Sequence, residues 1–260
     1  MTAYDKLRLT RQNHRPTGAD YVAGLFDDRV ELHGDRRFGD DPAIIGGVGT
    51  LRGIPVTYIA IDKGHEINER IKKSFGCPKP EGYRKAQRLM KQAEKFGRPV
   101  VCIVDTQGAF CGADAEERGQ GEAIAESILE MMDLGVPEIS IVIGEGGSGG
   151  ALALAAADRV YMLENAVYSV ISPEGCASIL WKDAGRVADA ADALRITAQD
   201  MRDFRVIDTI IHENFEQFDK MCEDISEKLV SDISHLSRLS ADELRAGRFE
   251  RFGRFGEYEK

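Results

Sequence analysis

Residues 144–150, Gly144-Glu145-Gly146-Gly147-Ser148-Gly149-Gly150, hold the residue types of three different chemistries at once. Read as Gly144-x-Gly146-x-x-Gly149, they form a dinucleotide fingerprint, in which glycines let a pyrophosphate approach the backbone at a helix start. Glu164 follows where such a site needs an acid for the ribose. Read as Gly146-x-Ser148-x-Gly150, they form a nucleophile elbow, with Asp208 and His212 following in the order a hydrolase triad uses. In a third reading no side chain reacts. The glycines then bring backbone N–H groups close to a carbonyl oxygen and hold the charge that develops there. A purely structural alternative is that the glycines only let a strand and a helix pack tightly.

The elements around the segment discriminate among these readings. The apolar run 139–143 predicts a strand, and the alanine-rich run 151–157 predicts a helix, so the glycines form a tight turn at a helix start. Unpaired N–H groups and the helix dipole favour negative charge there. The dinucleotide reading suffers because the following helix is short, broken by Asp158 and Arg159, and because two β/α units precede the motif. The hydrolase reading suffers because Asp208 and His212 lie four apart in one apolar segment, whereas a triad draws its acid and base from separate loops. Backbone donors are the preferred reading.

Upstream, apolar runs at 44–51 and 54–62, split by Arg52-Gly53, predict a β-hairpin. Tyr83, Ala86, Leu89, Met90, Ala93 and Phe96 fall at helical spacing, which predicts a helix over 81–97 with Pro80 near its start. Residues 100–104 read as a buried strand and 105–121 as a polar loop. A second helix is expected over 122–134, with Ile124, Ile128 and Met132 on its inner stripe. Further strands are expected at 159–163 and 167–171, and Ser172-Pro173 opens another helix. Beyond Ala198 the chain reads as helical and charged. Ser240 and Glu243 make a capping box, and the arginines of 245–254 read as a solvated helix face or a partner contact. Alternating strands and helices indicate an α/β fold with a largely parallel sheet. Its loops after strands 100–104 and 139–143 open at the same edge and line one cleft.

The chain has 260 residues, 43% hydrophobic and 30% charged, with a net charge of −10. That charge argues against nucleic-acid binding through bulk electrostatics. Residues 63–85 depart from it locally, with seven basic residues against three acidic ones, a net +4. There Lys72, Lys73, Lys79 and Arg84 are candidates for binding ligand phosphates, the alternative being a solvated helix face. His65 reads as a surface residue. None of the five cysteines pairs as C-x-x-C, so no metal is expected, and Cys102 reads as core. The N-terminus carries no secretory apolar region, and no apolar run reaches membrane length, so a cytoplasmic location is expected.

Four blocks identify a family resemblance: Phe75-Gly76-Cys77-Pro78-Lys79-Pro80-Glu81-Gly82-Tyr83-Arg84-Lys85-Ala86, Ala115-Glu116-Glu117-Arg118-Gly119-Gln120, residues 143–152, and residues 168–182 around Ser172-Pro173-Glu174-Gly175-Cys176-Ala177. With them the chain resembles the alpha subunit of bacterial acetyl-CoA carboxylase carboxyltransferase over roughly residues 5–212. The resemblance implies a crotonase-like (ClpP/crotonase) spiral of ββα units. On this expectation one domain spans 1–260, with a lead-in (1–30), the core (31–200) and a mainly helical part (201–260). It implies transfer of a carboxyl group from carboxybiotin, on a biotin carboxyl carrier protein, to acetyl-CoA. The product is malonyl-CoA for fatty-acid biosynthesis. Implied partners are a beta subunit bearing a zinc ribbon, in an alpha2beta2 assembly, and biotin carboxylase in the full ATP-dependent complex.

The resemblance also implies a site between alpha and beta, with a backbone oxyanion hole on each. The alpha-side hole maps to Gly149 and Gly150, and Gly146, Gly147, Gly108 and Ala109 map to the wall of the biotin pocket. Charge then develops on the ureido oxygen at this hole and on an enolate at the other, so no protein nucleophile is required. Gln107 and Cys111 depart from the family's usual prolines, and its long N-terminal helical extension does not appear in this sequence. Alone, the chain is expected to be inactive. Two other classes remain: a crotonase-like acyl-CoA enzyme such as a hydratase, active as a homo-oligomer, and an assembly or regulatory subunit that binds a partner or mRNA.

Overall fold

A computed structural model describes residues 1–256; residues 257–260, the end of the expected helical part, lie outside the described residues. Two helices lead, α1 (Ala3–Thr10) and α2 (Gly18–Leu25), followed by strand β1 (Asp27–Glu31). The expected hairpin is β2 (Ile44–Leu51) and β3 (Ile54–Ile61). It turns on Arg52 and Gly53, both at positive φ (48° and 83°), the backbone twist that matches paired strands. Next come α3 (Ile67–Lys72), α4 (Pro80–Lys95), β4 (Val100–Thr106), α5 (Ala113–Glu117), α6 (Gln120–Asp133), β5 (Glu138–Gly147) and α7 (Ser148–Leu152). The rest runs β6 (Arg159–Leu163), β7 (Val167–Ser169), α8 (Pro173–Trp181), α9 (Val187–Leu194), α10 (Ala198–Asp203), β8 (Thr209–Ile211), α11 (Phe218–Leu236) and α12 (Ala241–Gly253).

All eight strands form one sheet, ordered β1-β2-β3-β4-β5-β6-β8, with β7 beside the carboxyl end of β5. The first three strands are antiparallel and the rest parallel. β4 and β5 are buried along nearly their whole length, which is why they read as continuous apolar runs without alternation. α4 closes one face with the predicted stripe: Tyr83, Ala86, Leu89, Met90 and Ala93 are all inaccessible. Phe96, the last residue of that stripe, is exposed beyond the helix end. On the N-terminal side, Tyr21, Val22, Leu25 and Phe26 join the same core.

Three expectations are corrected. First, β5 does not stop at Ile143. It continues through Gly147 because β4 and β7 pair with its carboxyl end, Thr106 with Gly146 and Ser169 with Gly147. Second, α6 buries Ala123, Ser127 and Met131, while Ile124, Ile128 and Met132 are only half-buried. Gln87 on α4 sets this rotation by donating to the Ala123 carbonyl at 2.8 Å and to Ser127 Oγ at 3.0 Å.

Third, Arg248 and Arg251 are not on a solvated face, although Arg254 is exposed. Arg248 is 1% exposed and pairs with Asp158 at 2.8 Å and Glu138 at 3.4 Å. Arg251 pairs with Asp208 at 2.8 Å. α12 is thereby tied to the starts of β5 and β6. The segment after residue 200 is mainly helical, and its one short strand, β8, extends the sheet alongside β6.

Candidate active site

The glycines of β5 and α7 are required by close approach. A Cβ on Gly144 would lie 2.2 Å from Asp105 Oδ1, one on Gly147 2.1 Å from the Gln107 carbonyl oxygen, and one on Gly150 2.6 Å from the Ala109 nitrogen. The loop after β4 is therefore pressed directly against the glycine segment, as two loops following adjacent parallel strands should be. The tight-packing reading is correct as far as it goes. Gly149 is different, since its Cβ would touch only Ile124 Cγ2, at 3.3 Å.

Between strand and helix, Ser148 takes a left-handed backbone conformation, φ 53°, which is costly for a residue with a side chain. It is the sharp strand-to-helix turn of an elbow, but Asp208 and His212 do not complete a triad with it. Asp208 accepts from the Val160 N–H and pairs with Arg251. His212 is exposed against Glu164. Glu164 also caps the Glu213 N–H at 2.8 Å, so it is not free for a ribose either.

What the turn does leave free is backbone. Among the described residues, neither the Gly149 nor the Gly150 N–H donates to a backbone or side-chain acceptor, and Gly150 is buried. A buried N–H without an acceptor is unusual and calls for a partner. α7 has only five residues, so its dipole adds less than a full helix would, and the two N–H groups themselves carry the site.

Beneath the turn lies a buried network that sequence reasoning missed. Asp105 accepts the Glu145 N–H at 2.8 Å and pairs with Lys63 Nζ at 2.6 Å. Lys63 also lies 3.6 Å from Glu145, whose carboxylate meets Arg11 at 2.9 Å. Arg11 reaches Glu174, at the start of α8, at 2.6 Å. α1, β4, β5 and α8 are thus locked around the carboxyl end of β5. In the sequence, Lys63 counted only as one member of a basic patch.

That patch dissolves in three dimensions. Lys73 pairs with Asp62 and with Glu69. Arg84 is buried, bonded to Asp35, Glu81 and the Arg118 carbonyl, and Lys85 is buried against Asp40 and the Asp41 carbonyl. Lys73 and Arg84 are thus both committed to neighbouring carboxylates. Lys72 is exposed and Lys79 half-buried, with its ammonium over the Phe110 ring. Cys111 is exposed, and burial pushes the nearby Cys77 thiol up to about 11, so Cys77 is neutral at physiological pH and not a nucleophile. As expected, His65 lies at the surface, against Asp20.

Beside Gly149 an apolar depression of about 390 Å³ opens, walled by Leu152, Tyr168, Val170, Met201 and Phe255. Gly108 and Ala109 touch the turn from the other side through Gly147 and Gly150. Hydropathy alone could not assign Met201 or Phe255 to this wall, because they come from segments far along the chain.

A family model described as acetyl co-enzyme A carboxylase carboxyltransferase-like matches residues 1–256. The chain is 57% identical over 250 residues to the acetyl-coenzyme A carboxylase carboxyl transferase subunit alpha of Ruminiclostridium cellulolyticum, covering 96% of each. It is 51% identical over 262 residues to the acetyl-coenzyme A carboxylase carboxyl transferase subunits beta/alpha of Clostridium tetani, covering 99% of this chain and 46% of that one. Among solved structures, transcarboxylase 12S matches with a TM-score of 0.73 at 19% identity, over 90% of this chain and 44% of that chain. A Pseudomonas malonate decarboxylase heterodimer matches with a TM-score of 0.66 at 19% identity, over 84% of this chain and 90% of that one. The chain spans about half the length of the beta/alpha relative and of transcarboxylase 12S. At such identities these structures bear on the fold alone.

Proposed function

The chain belongs to the acetyl-coenzyme A carboxylase carboxyltransferase family, as an alpha subunit with the crotonase-like fold, and from that membership we propose that the N–H groups of Gly149 and Gly150 form its half of the catalytic site. They are the paired, unspent donors of the turn. A planar ureido carbonyl flanked by an apolar ring system suits them, because Gly149 borders an apolar depression and Gly150 follows directly behind it. Biotin, when bound in its carboxylated form, supplies the carboxyl group for transfer to acetyl-CoA.

The protein's part is to hold charge. Each N–H aimed at an oxygen that gains negative charge lowers the barrier by roughly 3–4 kcal/mol, judged from other oxyanion holes. Ser148 has no base beside it and serves as a turn residue. Gly146 and Gly147 back the hole, and Gly108 and Ala109 form its opposite wall. Lys72 and Lys79 are the members of the basic stretch able to meet the phosphates of coenzyme A.

A beta subunit completes the site, which fits the existence of relatives in which beta and alpha are one chain. The assembly is alpha2beta2, served by a biotin carboxyl carrier protein in the cytoplasm; among the described residues no helix is long and apolar enough to cross a membrane. The observation that carries the reading is the pair of unpaired amides, with Gly149 on the rim of the apolar depression. The test is a Gly150→Val chain co-purified with beta: the pair is expected to assemble but make no malonyl-CoA. Near-normal turnover in that variant removes the oxyanion role.

A further inference from the structure

α4 presents Tyr83 on its buried stripe, with 0% of the residue exposed. Its hydroxyl crosses to the glycine turn and donates to the Gly150 carbonyl at 3.1 Å. In a regular helix that carbonyl would accept the N–H of Leu154, four residues on. Here Ala153 donates to Gly149 at 2.9 Å, but Leu154 steps back to Ala151 and Ala155 to Leu152, each at 3.0 Å. The backbone therefore passes over the Gly150 carbonyl, and the phenol is its one recorded donor among the described residues.

We propose that Tyr83 is a positioning residue of the carboxyltransferase, holding the Gly150 carbonyl so that the adjoining N–H groups of Gly149 and Gly150 keep their aim. The inference rests on the oxyanion reading of those two groups and adds the device that orients them. Without the hydroxyl, a buried carbonyl is left unsatisfied. The Leu154 N–H is the donor a regular helix would bring to it, and taking it converts the tightened turn into regular helix and rotates the peptide next to Gly150.

The contact is close. A Cβ on Gly150 would lie 2.9 Å from the phenol oxygen and 2.6 Å from the Ala109 nitrogen, so the phenol and the loop after β4 both close on the Cβ side of the residue. Burial, with Cys77 and Asp41 facing the group, holds the phenol well above its ordinary pKa, so it remains a donor throughout the working pH range. Phenylalanine would fill the same space in α4, so the core has no need of the oxygen. The oxygen is needed for the bond to the turn.

The test uses the alpha–beta complex with Tyr83→Phe, assayed with biotin and malonyl-CoA, alongside wild type and Gly150→Val. We expect kcat to fall on the order of 10- to 100-fold, with KM for malonyl-CoA unchanged and the complex intact. Wild-type kcat in Tyr83→Phe, with Gly150→Val inactive, overturns the positioning role and leaves the oxyanion reading standing. Full turnover in Gly150→Val overturns both. A Tyr83→Phe chain that fails to assemble with beta, or that shifts kcat and KM in proportion, shows a general structural role and likewise overturns the proposal.

Discussion

Adjacent glycines in the turn should respond very differently to a single added methyl group. In Gly150→Ala the new Cβ is built 2.6 Å from the Ala109 nitrogen and 2.9 Å from both the Gly108 carbonyl carbon and the Tyr83 hydroxyl. Ordinary contact begins near 3.5 Å, so the turn and the loop after β4 must part by about 1 Å. Two of the three obstacles are backbone, which cannot rotate away. A displacement of about that size costs on the order of 100-fold in rate, the same order as removing one oxyanion donor outright, about 3–4 kcal/mol. In Gly149→Ala the methyl group meets only Ile124 Cγ2 at 3.3 Å, a flexible side chain on a half-buried stripe. The rate should then stay within about tenfold of wild type. The assay is carboxyl transfer from malonyl-CoA to biotin by each variant paired with beta, with urea unfolding run in parallel to show that both remain folded. Equal kcat values for the two variants would refute the geometric argument, because it assigns the closed contact to Gly150 alone.

Other expectations follow from the same contacts. Burial opposes ionisation of Asp35, but the N–H groups of Phe38, Arg37 and Gly39 and the Arg84 guanidinium prevail and bring it down to about 2. Its contribution to stability is therefore present above the ordinary value of 3.8 and lost as pH falls from there towards 2. Urea midpoints of wild type and Asp35→Asn should differ at pH 7 and converge near pH 2; a constant gap would contradict this. Burial, only partly offset by Arg248, raises Glu138 well above the usual carboxylate range, and neither of its oxygens has a hydrogen-bond partner. The unfolded chain ionises first as pH rises, so wild type loses stability there and Glu138→Gln should not. The variant should match wild type at pH 4 and exceed it at pH 8, and lower stability at pH 8 would count against a protonated Glu138. Lys72→Ala should raise KM for malonyl-CoA several-fold and leave the urea midpoint alone, whereas Arg84→Ala should cost about 3 kcal/mol or more in stability by leaving Asp35 unpaired. If Arg84→Ala folds normally and only KM moves, the structural role of Arg84 is wrong.

Local pattern foretold the parts of the fold that local pattern controls. The hairpin on Arg52-Gly53, the α4 stripe and the Ser240 capping box were legible because turn chemistry, helical spacing and capping each act within a few residues. Hydrophobicity misled at α6. It marked Ile124, Ile128 and Met132, but the face against α4 is chosen by small residues and by the Gln87 amide, leaving the larger side chains at the margin beside α7. Charge misled more often. Arg248, Arg84 and Lys63 look like surface cations in sequence, and each is buried because carboxylates distant in the chain come to meet it. At the glycine turn the motif was visible but not its boundary, because β5 is prolonged by pairing with β7, a strand twenty residues further on. The apolar wall beside Gly149 could not be read at all, since Tyr168, Met201 and Phe255 meet only in the folded chain.

On the proposed function, this chain holds one half of a carboxyltransferase site and a beta subunit brings the other. The most direct measurement is the malonyl-CoA-dependent carboxylation of biotin by the chain alone, by beta alone, and by the co-purified pair, under identical conditions. Turnover is expected only in the pair. Turnover of comparable rate by this chain alone would contradict the proposed function.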